Sequence, residues 1–240
     1  MERKIISIEN ICKKVLTRLD VMGYEKDKSI SCERLVFPNK RQAKGNRKRI
    51  SEQELRLLFI EVFKTSNPDL FYSIETPTEN KYKFGPSLDL IVCDKKGQSA
   101  LLDMCVFERG VTNYRRILNI EFKHKNCAIK NIGKDILKLI CEKQNGTFIQ
   151  LLNNTNRGTI CNNKNTGVFD KLYDSFLRYK GSWANSDKYI RILILSLKGQ
   201  VLIYRDICSS DLNNLQNIFF QSNNCREIEG IIGKNNWKTL

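Results

Sequence analysis

The sequence predicts an α/β fold in which helices flank a mixed central sheet. Apolar residues recur at three- and four-residue steps from Ile129 to Ile140, which predicts an amphipathic helix. Strand-like apolar segments at 117–123 and 147–152 lie on either side of it, so this unit predicts two parallel strands joined by a helical crossover. Short strands joined by tight turns elsewhere predict antiparallel neighbours, and together these patterns predict a mixed sheet.

The N-terminal part predicts a helix and then a basic arm. Apolar residues near helical spacing favour a helix over 6–19. Residues 38–49 hold six positive charges, a proline, a glycine and no apolar period, which indicates a loop or an arm that orders on binding. A solvated linker and a DNA contact are equally consistent with such a run. A capping box at Ser51–Glu54 then begins a helix that continues through Lys64.

The middle of the chain predicts a series of strands. Residues 71–76 favour the first strand, and a loop over 77–87 follows because it contains two prolines and a glycine. Residues 88–93 and 100–107 favour the next two strands. With the strand at 117–123, these segments predict a four-stranded start to the sheet.

The C-terminal part predicts further elements of the same domain. An asparagine-rich surface loop over 153–166 precedes a helix at 168–179, a hairpin over 189–205 and a final helix near 210–220. At 240 residues the chain fits one large domain with extensions. We expect residues 1–50 to form the N-terminal helix and basic arm, residues 51–160 to form the core, and residues 161–240 to extend that core.

Composition favours a polyanionic partner and an intracellular location. The 41 Lys and Arg residues outnumber 26 Asp and Glu residues, giving a net charge of +15 that attracts nucleic acid, although an acidic membrane surface fits the charge alone. Nine cysteines without a Cys-x-x-Cys pair, and the single histidine His124, argue against structural zinc. Thiols within apolar runs are typical of the reducing cytoplasm. The N-terminus lacks an apolar signal region, so we expect a cytoplasmic protein with no membrane partner.

Acidic residues occur where buried strands should carry none. Asp89 begins the apolar run Leu-Ile-Val, and Glu121 lies between Ile120 and Phe122. Alternation along a strand sends Glu121 and Lys123 to the same face. A carboxylate in an apolar strand is costly without a cation, and carboxylates from neighbouring strands suit Mg²⁺.

A second aspartate competes with Asp89. Asp103 lies in an equally apolar strand, so either side chain fits the role of the first metal-binding acid. We favour Asp89 because a loop with Gly85 and Pro86 precedes it and a tight turn follows its strand. The alternative for this set of acids and lysine is an ion pair that stabilises a sheet edge.

The order of these elements resembles the PD-(D/E)xK nuclease superfamily, which has the restriction-endonuclease-like fold. The resemblance covers residues 51–152: a helix, antiparallel strands with Asp89, a strand with Glu121-x-Lys123, a helix and a strand. It departs from the motif because Pro86 lies three residues before Asp89 and not directly before it. The resemblance implies a restriction-endonuclease-like core.

The resemblance also implies a reaction and a set of site residues. Asp89, Glu121 and the backbone carbonyl of Phe122 would bind Mg²⁺, for which Mn²⁺ can substitute, and Lys123 would orient the attacking water. The activity would be hydrolysis of DNA phosphodiester bonds by an endonuclease of restriction or defence type. Related enzymes often add a glutamate from the first core helix, for which we favour Glu54 as a catalytic residue.

Several assignments remain alternatives at this level. Glu61 competes with Glu54, whose capping-box position offers a purely structural role. His124 is expected to face away from Lys123. Four further side chains would contact phosphate, support Lys123 or simply be solvated. They are Lys134, Asp135, Lys138 and Gln150.

Two other functions fit the same pattern. The chain would be a non-catalytic nucleic-acid-binding module that keeps the fold without the metal, or the nuclease subunit of a larger complex with residues 1–50 as a docking arm. For a standalone enzyme, residues 160–240 would supply a sequence reader or a homodimer contact.

Overall fold

The computed structural model describes residues 7–26, 33–42, 45–155, 158–220 and 228–240. The helices are α1 (Ile8–Val21), α2 (Glu52–Ser66), α3 (Ile129–Cys141), α4 (Val168–Tyr179) and α5 (Leu215–Phe220). The strands are β1 (Asn39–Gln42), β2 (Gly45–Lys48), β3 (Phe71–Phe84), β4 (Ile91–Cys93), β5 (Gln98–Arg109), β6 (Tyr114–His124), β7 (Asn145–Leu152), β8 (Tyr189–Ser196), β9 (Val201–Cys208) and β10 (Lys238–Thr239).

The described residues form an α/β fold around a mixed eight-stranded sheet. Its strand order is β10-β9-β8-β7-β6-β5-β3-β4, and β1 pairs with β2 in a separate hairpin. Strands β6, β7 and β8 are parallel to one another, whereas the other neighbours in the sheet are antiparallel. The predicted crossover from β6 through α3 to β7 is therefore confirmed, as is the predicted hairpin of β8 and β9.

Helices cover both faces of the sheet. On one face, α1 and α2 pack over β6 at Ile120 and Phe122 and over the neighbouring strands. On the other face, α3, α4 and α5 pack over Phe148 and Ile192. The central strands are apolar on both sides because each face is covered, which is the expected pattern for parallel strands. No helix in the described ranges is long and apolar enough to span a membrane.

Strand β3 is longer than the sequence predicts. Much of the predicted loop 77–87 belongs to β3, which ends at Phe84. Pro77 lacks an N–H, and the pairing with β5 shifts register after it. The carboxylate of Glu142, directly after α3, accepts a hydrogen bond from the backbone N–H of Asn80 at 3.0 Å. The irregular part of β3 is therefore held by the end of a helix, which a local reading of prolines does not reveal.

Two other segments differ from their predictions. The basic segment 38–49, predicted to be an arm or loop, contains the strand pair β1 and β2. The final helix predicted near 210–220 is divided into a 3₁₀ turn, Ser209–Asn213, and α5. The start of the 3₁₀ turn is fixed by Asp211, whose carboxylate accepts a hydrogen bond from the backbone N–H of Cys208 at 2.9 Å.

Most cysteines in the described part of the chain are free thiols. Six of those in the described ranges are free thiols: Cys12, Cys93, Cys105, Cys127, Cys141 and Cys208. Cys161, in contrast, is disulfide-bonded, although the cysteine pattern of the sequence favours a reducing cytoplasm over a disulfide framework.

The C-terminal segment is fixed to the core by a buried tryptophan. Trp237 is 1% exposed and stacks on Phe169, with ring centroids 4.8 Å apart. Its indole N–H donates to the carbonyl of Ile218 at 3.0 Å. We expect Trp237→Ala to lower the free energy of unfolding by about 3–5 kcal/mol because it removes this packing and leaves a cavity.

Urea unfolding followed by circular dichroism measures the effect of Trp237→Ala. Leu240→Ala is the matched control, because Leu240 is 43% exposed and its truncation should change the free energy of unfolding by less than about 0.5 kcal/mol. Equal effects of the two substitutions would show that the C-terminal segment does not depend on Trp237.

Candidate functional site

Strand β6 sends its apolar and charged residues to opposite faces of the sheet, as predicted. Ile120 and Phe122 are fully buried under α1 and α2. Glu121 and Lys123 contact α3 on the other face, where each forms an ion pair with that helix. The acid and the lysine therefore lie side by side on the α3 face of β6.

Glu121 is a buried carboxylate that forms an ion pair with a lysine of α3. Its side chain is 1% exposed, and one of its oxygens lies 2.5 Å from the Nζ atom of Lys138 on α3. That Nζ also donates to the carbonyl of Leu101 at 2.9 Å and lies 3.1 Å from the carboxylate of Asp135. Burial raises the pKa of Glu121 well above its ordinary value, and the ammonium of Lys138 opposes this rise.

Lys123 is held by two acids from different helices. Its Nζ lies 2.8 Å from Asp135 on α3 and 3.6 Å from Glu52 at the first position of α2. It also donates to the carbonyl of Phe122 at 3.1 Å. Burial alone would lower the pKa of Lys123, but the carboxylates of Asp135, Glu52 and Asp103 together outweigh burial and raise it above its ordinary value. Lys123 is therefore a fixed ammonium at neutral pH.

Asp103 completes this arrangement from β5. The pairing of β5 with β6 ends at Met104 and Ile120, and beyond that point the N–H of Phe122 donates to the carboxylate of Asp103 at 2.7 Å. A side-chain oxygen therefore replaces the backbone acceptor where the two strands diverge. The other carboxylate oxygen lies 3.8 Å from the guanidinium of Arg56 on α2. Asp103 thus contacts the backbone of the residue directly after Glu121.

These side chains define what we call the acid–lysine cluster. Its members are Glu52, Asp103, Glu121, Lys123, Asp135 and Lys138. They come from α2, β5, β6 and α3, so four elements converge at one place. Four carboxylates face two ammonium groups, and a dense, partly buried set of this kind is typical of functional sites, although structural ion-pair networks share the feature.

Asp89 lies apart from the cluster, so the predicted pairing of Asp89 with Glu121 is wrong. Asp89 is in a 3₁₀ turn, Leu88–Leu90, before the edge strand β4, and β3 and β5 separate β4 from β6. Its side chain is 78% exposed and lies 3.6 Å from Arg178. The competing aspartate, Asp103, occupies the strand next to Glu121.

Packing of the neighbouring leucine explains the position of Asp89. Leu88 lies against Gly133 of α3, where a Cβ atom would come within 2.1 Å of the leucine side chain. The carbonyl of Leu88 accepts a hydrogen bond from the Tyr179 hydroxyl at 3.1 Å. Because Leu88 is the residue that turns inward, Asp89 projects outward. The apolar residues around Asp89 indicated a buried strand, whereas the strand begins only at Ile91, which is its one buried residue.

The first core helix contributes a different glutamate from the one predicted. Glu54 closes the capping box, and its carboxylate accepts the backbone N–H of Ser51 at 2.7 Å. Glu61 pairs with Arg18 at 2.8 Å. Glu52 is instead the acid that reaches Lys123, and burial raises its pKa above the ordinary value. The capping box could have indicated Glu52 from the sequence. Glu54 closes the box at the third helical position, which leaves Glu52, at the first position, free to face the sheet.

The remaining candidates divide between the cluster and its surroundings. Asp135 and Lys138 belong to the cluster, whereas the ammonium of Lys134 lies 5.1 Å from the centre of the Phe84 ring. Gln150 pairs with Lys123 across β6 and β7, and its amide nitrogen donates to the carbonyl of Lys125. Its buried side-chain oxygen has no hydrogen-bond partner within the described part of the chain.

His124 forms no ion pair among the described residues. Its Nε2 atom is buried without a hydrogen-bond partner there. Burial lowers the pKa of His124 to about 4, so the imidazole is neutral at pH 7. A neutral, half-buried ring next to Lys123 is consistent with a structural role.

The cluster has oxygen donors suited to a hard divalent cation, but they are paired with lysines. No group of three or more His, Cys, Asp or Glu side chains in the described ranges is arranged to hold a metal ion. Asp103, Glu121 and the carbonyl of Phe122 nevertheless bring three oxygen-bearing groups together from β5 and β6. This donor set fits Mg²⁺ chemically, and an ion there would compete with the ammonium groups for the carboxylates.

Comparison with known proteins adds no relative: no protein-family model matches the chain, and no curated protein or solved structure is significantly similar to it.

The pair formed by Glu121 and Lys138 should be strongly coupled. Lys138→Met leaves a buried carboxylate without its cation, so we expect a loss of about 3–5 kcal/mol in the free energy of unfolding. Adding Glu121→Gln to this variant should recover part of that loss because no charge then remains unpaired. Urea unfolding of the two single variants and the double variant gives the coupling energy.

Lys130→Met is the control for this experiment, because Lys130 is exposed on the first turn of the same helix. It should change stability by less than about 0.5 kcal/mol. Additive effects of Lys138→Met and Glu121→Gln would contradict the buried ion pair.

Proposed function

We propose that the protein is a Mg²⁺-dependent endonuclease that hydrolyses DNA phosphodiester bonds, of restriction or defence type, with a restriction-endonuclease-like core. The observation that carries this proposal is the contact of Asp103 on β5 with the backbone of Phe122, between Glu121 and Lys123 on β6. An acid from one strand and an acid-x-lysine set from the next are thereby brought together. Asp103 takes the role that the sequence had favoured for Asp89.

The order of elements and the charge of the chain support the same proposal. Helix α2, strands β3, β5 and β6, helix α3 and strand β7 follow in the order of the superfamily core, with β4 as an added edge strand. The net charge of +15 favours a polyanionic substrate. Six free thiols favour the cytoplasm as its location, while the disulfide of Cys161 argues against it.

Each member of the cluster has a role in this proposal. Asp103, Glu121 and the Phe122 carbonyl would hold Mg²⁺, with Mn²⁺ able to substitute. When bound, the metal ion would polarise the phosphoryl oxygen and lower the pKa of the attacking water. Lys123 would hold that water and stabilise negative charge that develops on the phosphate.

Two acids would keep this ammonium in position. Glu52 contacts Lys123 from α2, and Asp135 contacts it from α3, the helix on the other face of the sheet. Lys138 would hold the carboxylate of Glu121, the second metal-binding acid, in a fixed orientation. These contacts exist without substrate, so the positions of Lys123 and Glu121 would be set in advance, while a bound metal ion would take the place of ammonium groups at its oxygen ligands.

A second candidate function is a nucleic-acid-binding module that performs no chemistry. The observation that favours it is that Glu121 and Asp135 already have lysine partners within 3 Å, which satisfies their charges without a metal ion. Binding to DNA that is unaffected by Mg²⁺, without cleavage under any divalent cation, would select this candidate.

Paired aspartate variants distinguish the two aspartates. We expect Asp103→Asn to reduce Mg²⁺-dependent cleavage of supercoiled plasmid by at least about 100-fold because it removes a metal-binding charge. Asp89→Asn, a chemically identical change at an exposed position, should leave cleavage within about twofold. Rates of plasmid nicking and linearisation, compared at equal protein concentration, measure both effects.

Two controls accompany this comparison. EDTA should abolish cleavage by the unsubstituted protein, and circular dichroism should show that both variants are folded. Loss of cleavage in Asp89→Asn with full cleavage in Asp103→Asn would overturn the assignment. Absence of cleavage by the unsubstituted protein with both Mg²⁺ and Mn²⁺ would overturn the nuclease proposal itself.

A further inference from the structure

The hairpin of β1 and β2 is the most basic element next to the cluster. Residues 39–48 include five Lys and Arg residues and no acid. Antiparallel pairing places Lys40 directly opposite Arg47. A two-stranded hairpin has little stability of its own in water, and a segment with five positive charges attracts a polyanion. An anionic partner would therefore stabilise this element.

The base of the hairpin is fixed to the folded core. Phe37, just before β1, is 1% exposed and packs with α1 and α2. The N–H of Arg49 donates to the carbonyl of Pro38 at 2.8 Å, which closes the base across the two strands. The N–H of Asn39 also donates to the carboxylate of Glu25 at 2.8 Å. The hairpin is thus attached to the protein at a defined place.

That place is close to the acid–lysine cluster. Only four residue steps separate Lys48, the end of β2, from Glu52, and a chain of that length spans at most about 14 Å. Glu52 lies 3.6 Å from Lys123. Phosphates of a nucleic acid that reaches the cluster would therefore lie within reach of the end of the hairpin.

We propose that the β1–β2 hairpin enters the major groove of B-form DNA and holds the duplex backbone against the cluster. This inference rests on the proposed function and specifies its substrate as double-stranded DNA. The major groove of B-form DNA is about 12 Å wide and admits a two-stranded ribbon. The major groove of A-form RNA is deep and narrow and excludes such a ribbon, so the hairpin discriminates DNA from RNA.

The test compares two charge-matched double variants in EDTA, so that cleavage cannot interfere. One removes the paired charges of the hairpin, Lys40→Ala with Arg47→Ala. The control, Lys234→Ala with Lys238→Ala, removes two exposed charges at the β10 edge, four strands from β6. Fluorescence anisotropy with a labelled DNA duplex, over a range of salt concentrations, gives the affinity and its salt dependence.

We expect the hairpin variant to bind at least tenfold more weakly and to lower the slope of log affinity against log salt by about 2, since each lost phosphate contact lowers it by about 0.9. The control should leave the slope unchanged. The unsubstituted protein should bind an RNA duplex of the same sequence at least tenfold more weakly than DNA. It should also protect guanine N7, which lies in the major groove, from dimethyl sulfate.

The outcomes separate the hairpin from the nuclease proposal. Equal losses in the two double variants, equal binding of the RNA duplex, or unprotected guanine N7 would each overturn groove binding by the hairpin, whatever the protein cleaves. DNA binding that depends on the hairpin, in a protein that cleaves nothing with Mg²⁺ or Mn²⁺, would instead support groove binding and overturn the nuclease. Thermal unfolding of both variants at the same temperature excludes a folding defect.

Discussion

The buried carboxylate of Glu121 is the constraint on which the rest of the site depends. A negative charge that is 1% exposed in a central strand is tolerated only with a cation and hydrogen bonds around it. Lys138 supplies the cation, and its place on α3 requires that helix to cross directly over β6. The crossover that joins the parallel strands therefore also positions the charge that makes β6 stable.

The divergence of β5 from β6 has a related origin. Backbone pairing ends at Met104 and Ile120, and the carboxylate of Asp103 takes over as the acceptor for the next N–H, that of Phe122. An opening between two strands would normally leave a buried donor unsatisfied. Here the carboxylate of Asp103 accepts the hydrogen bond of that donor. The carboxylates of Asp103 and Glu121 therefore lie together where the backbone pairing of β5 with β6 ends.

Alternation and periodicity predicted much of this arrangement from the sequence. The shared face of Glu121 and Lys123 followed from the two-residue period of a strand, and the crossover followed from the spacing of apolar residues around Ile136. The choice between Asp89 and Asp103 depended on which neighbouring residue turns inward. That is decided by the contact between Leu88 and α3, which is distant in sequence and leaves no local pattern.

Asp135 is shared by both lysines of the cluster, at 2.8 Å from Lys123 and 3.1 Å from Lys138. One carboxylate therefore links two ion pairs that would otherwise be independent. A change of charge on either lysine alters the electrostatic potential at the other through this common acid. The two lysines behave as a single electrostatic unit, and a chain that lost Asp135 would have to compensate at both positions at once.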